Sequence, residues 1–231
     1  MILLDLLYPK RCPVCDTVLP LKKRICKECQ ESLSIVEEPR CIRCGKPLDD
    51  ESKELCQDCM DVNHSFDGGR ALYEYNSIKN ALYKLKYEGR AEYADFYGEE
   101  MARVFESVVK DWNIDLVIPV PIHPSKERSR GYNQASLIGK RFAASLGIPF
   151  EERCVVRVKK TTPLKELSPE ERQINLKNAF NIGNYDVKLK SIIIVDDIYT
   201  TGSTIDAMSR ILKAAGAKKI YFATLAIGAG I

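Results

Sequence analysis

Residues 192–204 read IIIVDDIYTTGST, a stretch in which an apolar run is followed at once by two acids and a hydroxyl-rich loop. Its first four residues, Ile192–Val195, are apolar and β-branched, a run typical of a strand buried on both faces of a parallel sheet. Asp196 and Asp197 follow at once, and a hydroxyl-rich loop around Gly202 then leads into a segment with apolar residues at helical spacing. Strand, loop and helix in this order predict one unit of an α/β domain.

The rest of the chain after residue 65 repeats this alternation. Two amphipathic helices, around 78–85 and 93–108, are predicted to precede the first strand, at 115–121. The later predictions are a helix at 134–146, strands near 154–158 and 179–182 on either side of a long polar segment, a strand at 191–195, a helix at 205–215 and a strand at 219–226. We therefore expect a doubly wound parallel sheet, with Cys154 as a buried strand thiol.

Ligands of such sheets bind beyond the carboxyl ends of the strands. Two adjacent carboxylates at that edge, Asp196 and Asp197, are costly unless they face water, hydroxyls or a cation. The two hydroxyls of a ribose, with a hydrated Mg²⁺ nearby, would suit both acids. The loop that follows offers backbone N–H groups and four hydroxyls at a helix N-terminus, where a phosphate monoester is favoured. The loop consists of Thr200, Thr201, Gly202, Ser203 and Thr204.

The pattern as a whole thus predicts a site for a ribose 5-phosphate. A plainer alternative is an acidic strand end followed by a Thr/Ser helix cap, which would be favoured for an isolated DD and TGS. The complete order of strand, two acids, loop and helix favours the ligand site.

Eight of the nine cysteines form four C-x-x-C pairs within 48 residues. Each pair lets two sulfurs of one tight turn occupy adjacent corners of a tetrahedron, so two pairs complete a Cys₄ zinc site. Sequential pairing assigns Cys12, Cys15, Cys26 and Cys29 to one ion and Cys41, Cys44, Cys56 and Cys59 to the other. An interleaved pairing is the alternative. A disulfide framework and an iron–sulfur centre are competing interpretations, and the missing secretory signal argues against the disulfides.

Residues 1–64 are therefore predicted to form a double zinc-ribbon module, stabilised largely by two structural zinc ions, ahead of an α/β domain at 65–231. His64 is predicted to be a surface or linker residue, because eight sulfurs already satisfy two ions. The first region carries a formal charge of −2 before zinc binding and the second +5. Attraction to phosphate should thus come mainly from the second region.

No apolar run approaches the roughly 18–20 residues needed to span a bilayer. The start, MILLDLLYP, lacks a basic n-region and is interrupted by Asp5, which makes it a poor secretory signal. We expect a cytoplasmic protein without membrane insertion.

The stretch 192–204 resembles the 5-phosphoribosyl-1-pyrophosphate (PRPP) motif of type I phosphoribosyltransferases. Four further features are similar to the ComF family of competence proteins, and to its ComFC-like members in particular. They are the cysteine-rich start, LKYEGR at 85–90, PVPIHPSKERSRGYNQ at 119–134 and LSPEERQINLKNAF at 167–180. The resemblance covers essentially the whole chain.

This resemblance implies roles for individual residues. Asp196 and Asp197 would bind the ribose hydroxyls of PRPP, and residues 200–204 its 5′-phosphate. The pyrophosphate, with Mg²⁺, would lie against the strand end at 120–122 and near basic side chains. The candidate contacts are Val120, Pro121, Lys126, Arg128, Arg130, Lys159 and Lys160.

Some of these implied roles have alternatives. Arg128 and Arg130 also fit a solvated charge cluster, and His123 is either a phosphate neighbour or a capped loop histidine. The polar segment 159–172 would be the loop that closes over the pyrophosphate.

Three functions fit this resemblance. The first is a protein that binds PRPP and supports natural transformation by handling incoming single-stranded DNA beside competence proteins such as a ComFA-type translocase. The second is a nucleotide-salvage enzyme that transfers phosphoribose from PRPP to a base or another nitrogen acceptor. The third is a protein-interaction adaptor with a vestigial PRPP site. The sequence identifies no acceptor pocket and leaves catalysis open.

Overall fold

The computed structural model describes residues 9–158 and 179–228. Its helices are α1 (Lys27–Ser32), α2 (Gln57–Asp61), α3 (Tyr75–Tyr87), α4 (Tyr93–Asp111), α5 (Pro124–Arg130), α6 (Gln134–Leu146) and α7 (Ser203–Ala214). Its strands are β1 (Gly68–Glu74), β2 (Leu116–Pro119), β3 (Val155–Arg157), β4 (Phe180–Ile182), β5 (Ser191–Tyr199) and β6 (Lys219–Ile227). In this part of the chain, no helix is both long enough and apolar enough to cross a membrane.

Four parallel strands form the main sheet, in the order β1-β6-β5-β2. Apolar residues of α3, α4 and α6 pack on one face of this sheet, and α7 packs on the other. Helices on both faces of a parallel sheet confirm the doubly wound α/β prediction.

The prediction that two helices precede the first strand is wrong. Strand β1 comes before α3 and pairs in parallel with the last strand, β6. Its sequence, GGRALYE, opens with two glycines, which weaken a strand and hide its pattern. The glycine is needed for packing, because a Cβ on Gly69 would lie 2.0 Å from the Phe222 ring of β6. A contact between residues so distant in the chain leaves no local signal.

Strands β3 and β4 match the predicted segments but pair antiparallel in a sheet of their own. Cys154 is buried directly before β3, as expected, and burial raises the pKa of its thiol to about 11. The predicted polar closing loop at 159–172 lies outside the described residues.

The two cysteine groups attach to opposite faces of the sheet. The first lies against α4, where the Tyr97 hydroxyl donates to the Pro13 carbonyl at 2.8 Å and Arg90 pairs with Asp16 at 2.7 Å. The second belongs to the hydrophobic core that also contains Phe66 and Phe222. The segment before residue 64 thus packs extensively on the sheet, and the predicted boundary between 64 and 65 stays a prediction.

Candidate functional site

The two acids directly follow the apolar run of β5, which continues to Tyr199, beyond the predicted end at 195. Asp197 is buried, and its Oδ2 atom lies 2.9 Å from Lys86 Nζ. The same oxygen accepts a hydrogen bond of 2.7 Å from Gln134 Nε2. Asp196 is partly buried and accepts from the Asp197 backbone N–H at 2.8 Å. Asp197 is therefore held by side chains from α3 and α6.

Burial and mutual repulsion set the ionisation of this pair. Desolvation, followed by the nearby charge of Asp197, raises the pKa of Asp196 to about 8, although Lys86 and Arg157 oppose the shift. Burial disfavours the Lys86 ammonium, but Asp197 more than compensates, so the pKa of Lys86 is raised. The Asp196 carboxyl thus binds a proton far more readily than an ordinary aspartate does, and it lies next to the ion pair between Lys86 and Asp197.

Further cations approach the acids. Burial lowers the pKa of Lys126, and the positive charges of Arg157, Arg130 and Lys86 lower it further. Arg130 donates to the side-chain oxygen of Gln134, and its guanidinium lies 5.5 Å from the centre of the Tyr87 ring. These mutually repelling cations beside the end of β5 would be stabilised by a dianion such as pyrophosphate.

The other predicted pyrophosphate contacts occupy different positions. Val120 is buried; its N–H donates to the Val195 carbonyl at 2.8 Å, and its carbonyl accepts from Asn133 at 3.0 Å. Pro121 is buried next to it. Arg128 is exposed on α5, and Lys159 and Lys160 lie outside the described residues.

His123 precedes α5 as its N-cap. Its Nδ1 atom accepts from the Ser125 N–H at 3.2 Å. This geometry favours the interpretation of His123 as a capped loop histidine.

The loop 200–204 leads directly from β5 into α7. Gly202 is the N-cap of α7 and has a φ of 76°, in the left-handed region that glycine tolerates. The first intrahelical bond joins the Asp206 N–H to the Gly202 carbonyl at 2.8 Å. The N–H groups of 203–205 precede that bond and have no acceptor within the helix. The geometry is suitable for an anion at the start of a 12-residue helix.

The prediction that His64 is a surface or linker residue is wrong. Its side chain is fully buried, and Nδ1 lies 2.6 Å from Asp206 Oδ2 in the first turn of α7. The prediction considered His64 only as a possible zinc ligand. The partner, Asp206, is 142 residues away in sequence.

Three further residues near the acids were not predicted as site residues: Lys86, Gln134 and Arg157. Lys86 and Gln134 do fall in two of the stretches that resemble the ComF family. Their spacing from the acids gives no local signal, because the contacts form only when α3 and α6 pack on the same face of the sheet.

A groove of about 980 Å³ is lined in part by Lys86, the ion-pair partner of Asp197. It lies between the second cysteine group, α3 and the ends of β5 and β6, and Lys86 and Thr200 are among its lining residues. Two of its tyrosines, Tyr83 and Tyr87, are 58% and 66% exposed, and their ring centres are 5.0 Å apart. Exposed aromatic rings next to lysines suit stacking with planar ligands.

The eight N-terminal sulfurs form two compact groups. The ligand atoms of Cys12, Cys15, Cys26 and Cys29 all lie within 4.8 Å of one another, as do those of Cys41, Cys44, Cys56 and Cys59. The groups follow the sequential pairing and not the interleaved one. Four clustered thiols suit Zn²⁺, and the clusters fit a pair of zinc ribbons.

Comparison with known proteins supports the same two parts. The family model for the double zinc ribbon domain matches residues 3–60, and that for the phosphoribosyl transferase domain matches residues 133–229. The second match, together with the parallel sheet and its two helical layers, confirms the expected phosphoribosyltransferase-like fold.

Curated relatives extend over most of the chain. Competence protein F of Haemophilus influenzae is 29% identical over 91% of this chain and 93% of its own length. Competence protein ComFC of Bacillus subtilis is 27% identical over 82% of this chain and 78% of its own. DNA utilization protein YhgH of Escherichia coli K12 is 26% identical over 93% of this chain and 96% of its own length. The chain thus joins a double zinc ribbon to a phosphoribosyltransferase domain and is homologous over most of its length to ComF, ComFC and YhgH proteins, which confirms its resemblance to the ComF family.

Proposed function

We propose that this protein binds PRPP with Mg²⁺ and uses that site while it handles single-stranded DNA during DNA uptake. The observation that carries the proposal is the arrangement of the two acids, the phosphate loop and the surrounding cations at one edge of the sheet. Each part suits one portion of PRPP: acids for the ribose hydroxyls, loop N–H groups for the 5′-phosphate and cations for the pyrophosphate.

The residues present fit a magnesium ion that enters with PRPP. Mg²⁺ prefers oxygen ligands, and it is usually held by one or two carboxylates together with substrate phosphates. Asp196 and Asp197 supply such carboxylates. The ion would neutralise phosphate charge and would favour the ionised form of Asp196, whose pKa is raised to about 8 by burial and the neighbouring Asp197.

Isothermal titration of the whole protein with PRPP and Mg²⁺ tests this proposal. Ribose 5-phosphate and pyrophosphate, titrated separately, should each bind more weakly than PRPP, because each fills only part of the site. Absence of heat with PRPP and Mg²⁺, in protein whose zinc content is complete, would contradict the proposal.

The role in DNA uptake draws on the relatives, three of which are named for competence or DNA utilization. We propose a cytoplasmic protein that acts beside a ComFA-type translocase. The basic side chains between residues 120 and 158 fall into two groups. Arg141 pairs with Glu99 between α6 and α4, whereas Lys126, Arg130 and Arg157 approach the acids. The groove along α3 is therefore the better candidate for the DNA path.

Tyr83→Ala/Tyr87→Ala is expected to weaken binding of a short single-stranded oligonucleotide roughly 10- to 100-fold, since base stacking contributes about 1–3 kcal/mol per base. Fluorescence anisotropy at fixed salt measures this. The matched control is Tyr221→Ala, which removes a partly buried tyrosine stacked on Trp112, away from the groove. Equal loss in both variants would contradict a DNA path along α3.

A salvage phosphoribosyltransferase is the second candidate, favoured by the same groove. A planar nitrogen base stacked on Tyr83 or Tyr87 would lie beside the Lys86–Asp197 pair. Purines, pyrimidines and related nitrogen nucleophiles would be screened as acceptors. Pyrophosphate release with any of them would support the salvage function. If no acceptor leads to pyrophosphate release, PRPP is a bound ligand and not a substrate.

A further inference from the structure

The segment that leaves the second zinc ribbon is tied to the start of α7. His64, five residues after Cys59, lies with its Nδ1 atom 2.6 Å from Asp206 Oδ2. The next backbone N–H, that of Ser65, donates to Asp206 Oδ1 at 2.6 Å. The His64 ring also stacks on Phe66, with 4.6 Å between ring centres. Both oxygens of Asp206 are thus occupied by this segment.

The position of Asp206 makes these contacts important. It lies in the first turn of α7, immediately after the phosphate loop. Unpaired N–H groups and the helix dipole at such a terminus attract any nearby anion. A carboxylate there competes with a bound phosphate unless it is engaged elsewhere. His64 and Ser65 provide that engagement.

His64 also supports the loop itself. A Cβ on Gly202 would lie 3.1 Å from His64 Cε1 and 2.8 Å from Tyr199 Oη, so both rings pack against the backbone of the loop. His64 Nε2 and Tyr199 Oη are buried and have no hydrogen-bond partner among residues 9–158 and 179–228. Buried polar atoms without partners are costly, and they are more common at functional sites than in ordinary cores.

We propose that His64 is a positioning residue for phosphate binding. Supplied from the zinc-ribbon side of the chain, it engages Asp206 and supports Gly202, so that the N–H groups of loop 200–204 stay available for a phosphate monoester. The proposal rests on the proposed PRPP site and assigns to the N-terminal segment a direct part in building it.

Calorimetry with ribose 5-phosphate tests this role in three variants. His64→Gln and His64→Ala should weaken binding roughly 10- to 100-fold, because neither places a donor where Nδ1 is. His64→Asn should stay within about threefold of wild type, because its amide nitrogen reaches nearly the same position as Nδ1. If the role of His64 were purely structural, His64→Asn would lose as much affinity for ribose 5-phosphate as the other two variants.

The double variant His64→Ala/Asp206→Ala gives a second, independent test. Removing the competing carboxylate should restore part of the affinity lost in His64→Ala. The control is Asp67→Asn. Like Asp206, Asp67 accepts a hydrogen bond from a backbone N–H, that of Ile220 at 2.9 Å, but it lies at the opposite end of the sheet. It should leave ribose 5-phosphate binding unchanged.

The outcomes separate the two proposals. If the wild-type protein binds neither ribose 5-phosphate nor PRPP, both the PRPP site and the role of His64 are contradicted. If wild type binds but His64→Gln binds equally well, or if the double variant is no better than His64→Ala, only the role of His64 is overturned.

Discussion

Asp197→Ala is expected to reduce the affinity for PRPP and Mg²⁺ at least 100-fold. The change removes one of the two acids proposed to hold the ribose hydroxyls. It also leaves the Lys86 ammonium, 2.9 Å away in the wild type, without its carboxylate. Removing one partner of a buried ion pair costs about 3–5 kcal/mol of stability. Titration calorimetry, well below the melting temperature of the variant, measures the affinity.

Asp115→Ala is the matched control for this loss. Asp115 accepts from the Ser191 N–H at 2.8 Å, at the amino end of the strand whose other end carries Asp197. Some loss of stability with unchanged PRPP affinity is expected. Equal affinities of Asp197→Ala and wild type for PRPP would overturn the assignment of the site.

The second large effect concerns zinc. Cys56→Ser should lower the free energy of unfolding by at least about 5 kcal/mol, or roughly 10–20 °C in melting temperature. The second cysteine group shares the core formed by Phe66 and Phe222, so its collapse exposes one face of the sheet. Zinc content, measured by atomic absorption, should fall from two ions per chain to one.

Cys26→Ser is the corresponding change in the first group. Both cysteines are half-buried and both are N-caps of a short helix, so the two variants remove equivalent ligands. The buried residues of the first group, Cys12, Leu19 and Cys29, form a small cluster separate from the cores on the two faces of the sheet, so the loss of this group should unfold that ribbon alone. An equal drop in melting temperature for the two variants would contradict the unequal attachment of the ribbons.

Local patterns were sufficient to predict much of this molecule. The apolar run at 192–195, the acids and the loop are consecutive, so one stretch of sequence predicted a strand, a candidate site and a helix. The C-x-x-C spacing likewise predicted two groups of four sulfurs, since each turn places its own pair of ligands. It left sequential and interleaved pairing open, and the structure shows the sequential one.

The unpredicted parts depend on contacts between distant residues. Strand β1 exists because Gly69 leaves room for Phe222, and Lys86 becomes a site residue only when α3 packs beside β5. His64 was misjudged for the same reason, because its burial depends on Asp206. These features have no periodicity, and three-dimensional packing alone reveals them.

Transformation frequency measures whether the proposed PRPP site serves DNA uptake. A strain carrying Asp196→Asn/Asp197→Asn is compared with a clean deletion and with wild type, at matched protein and zinc levels. We expect the double variant to transform at the frequency of the deletion. Transformation at the wild-type frequency would contradict the claim.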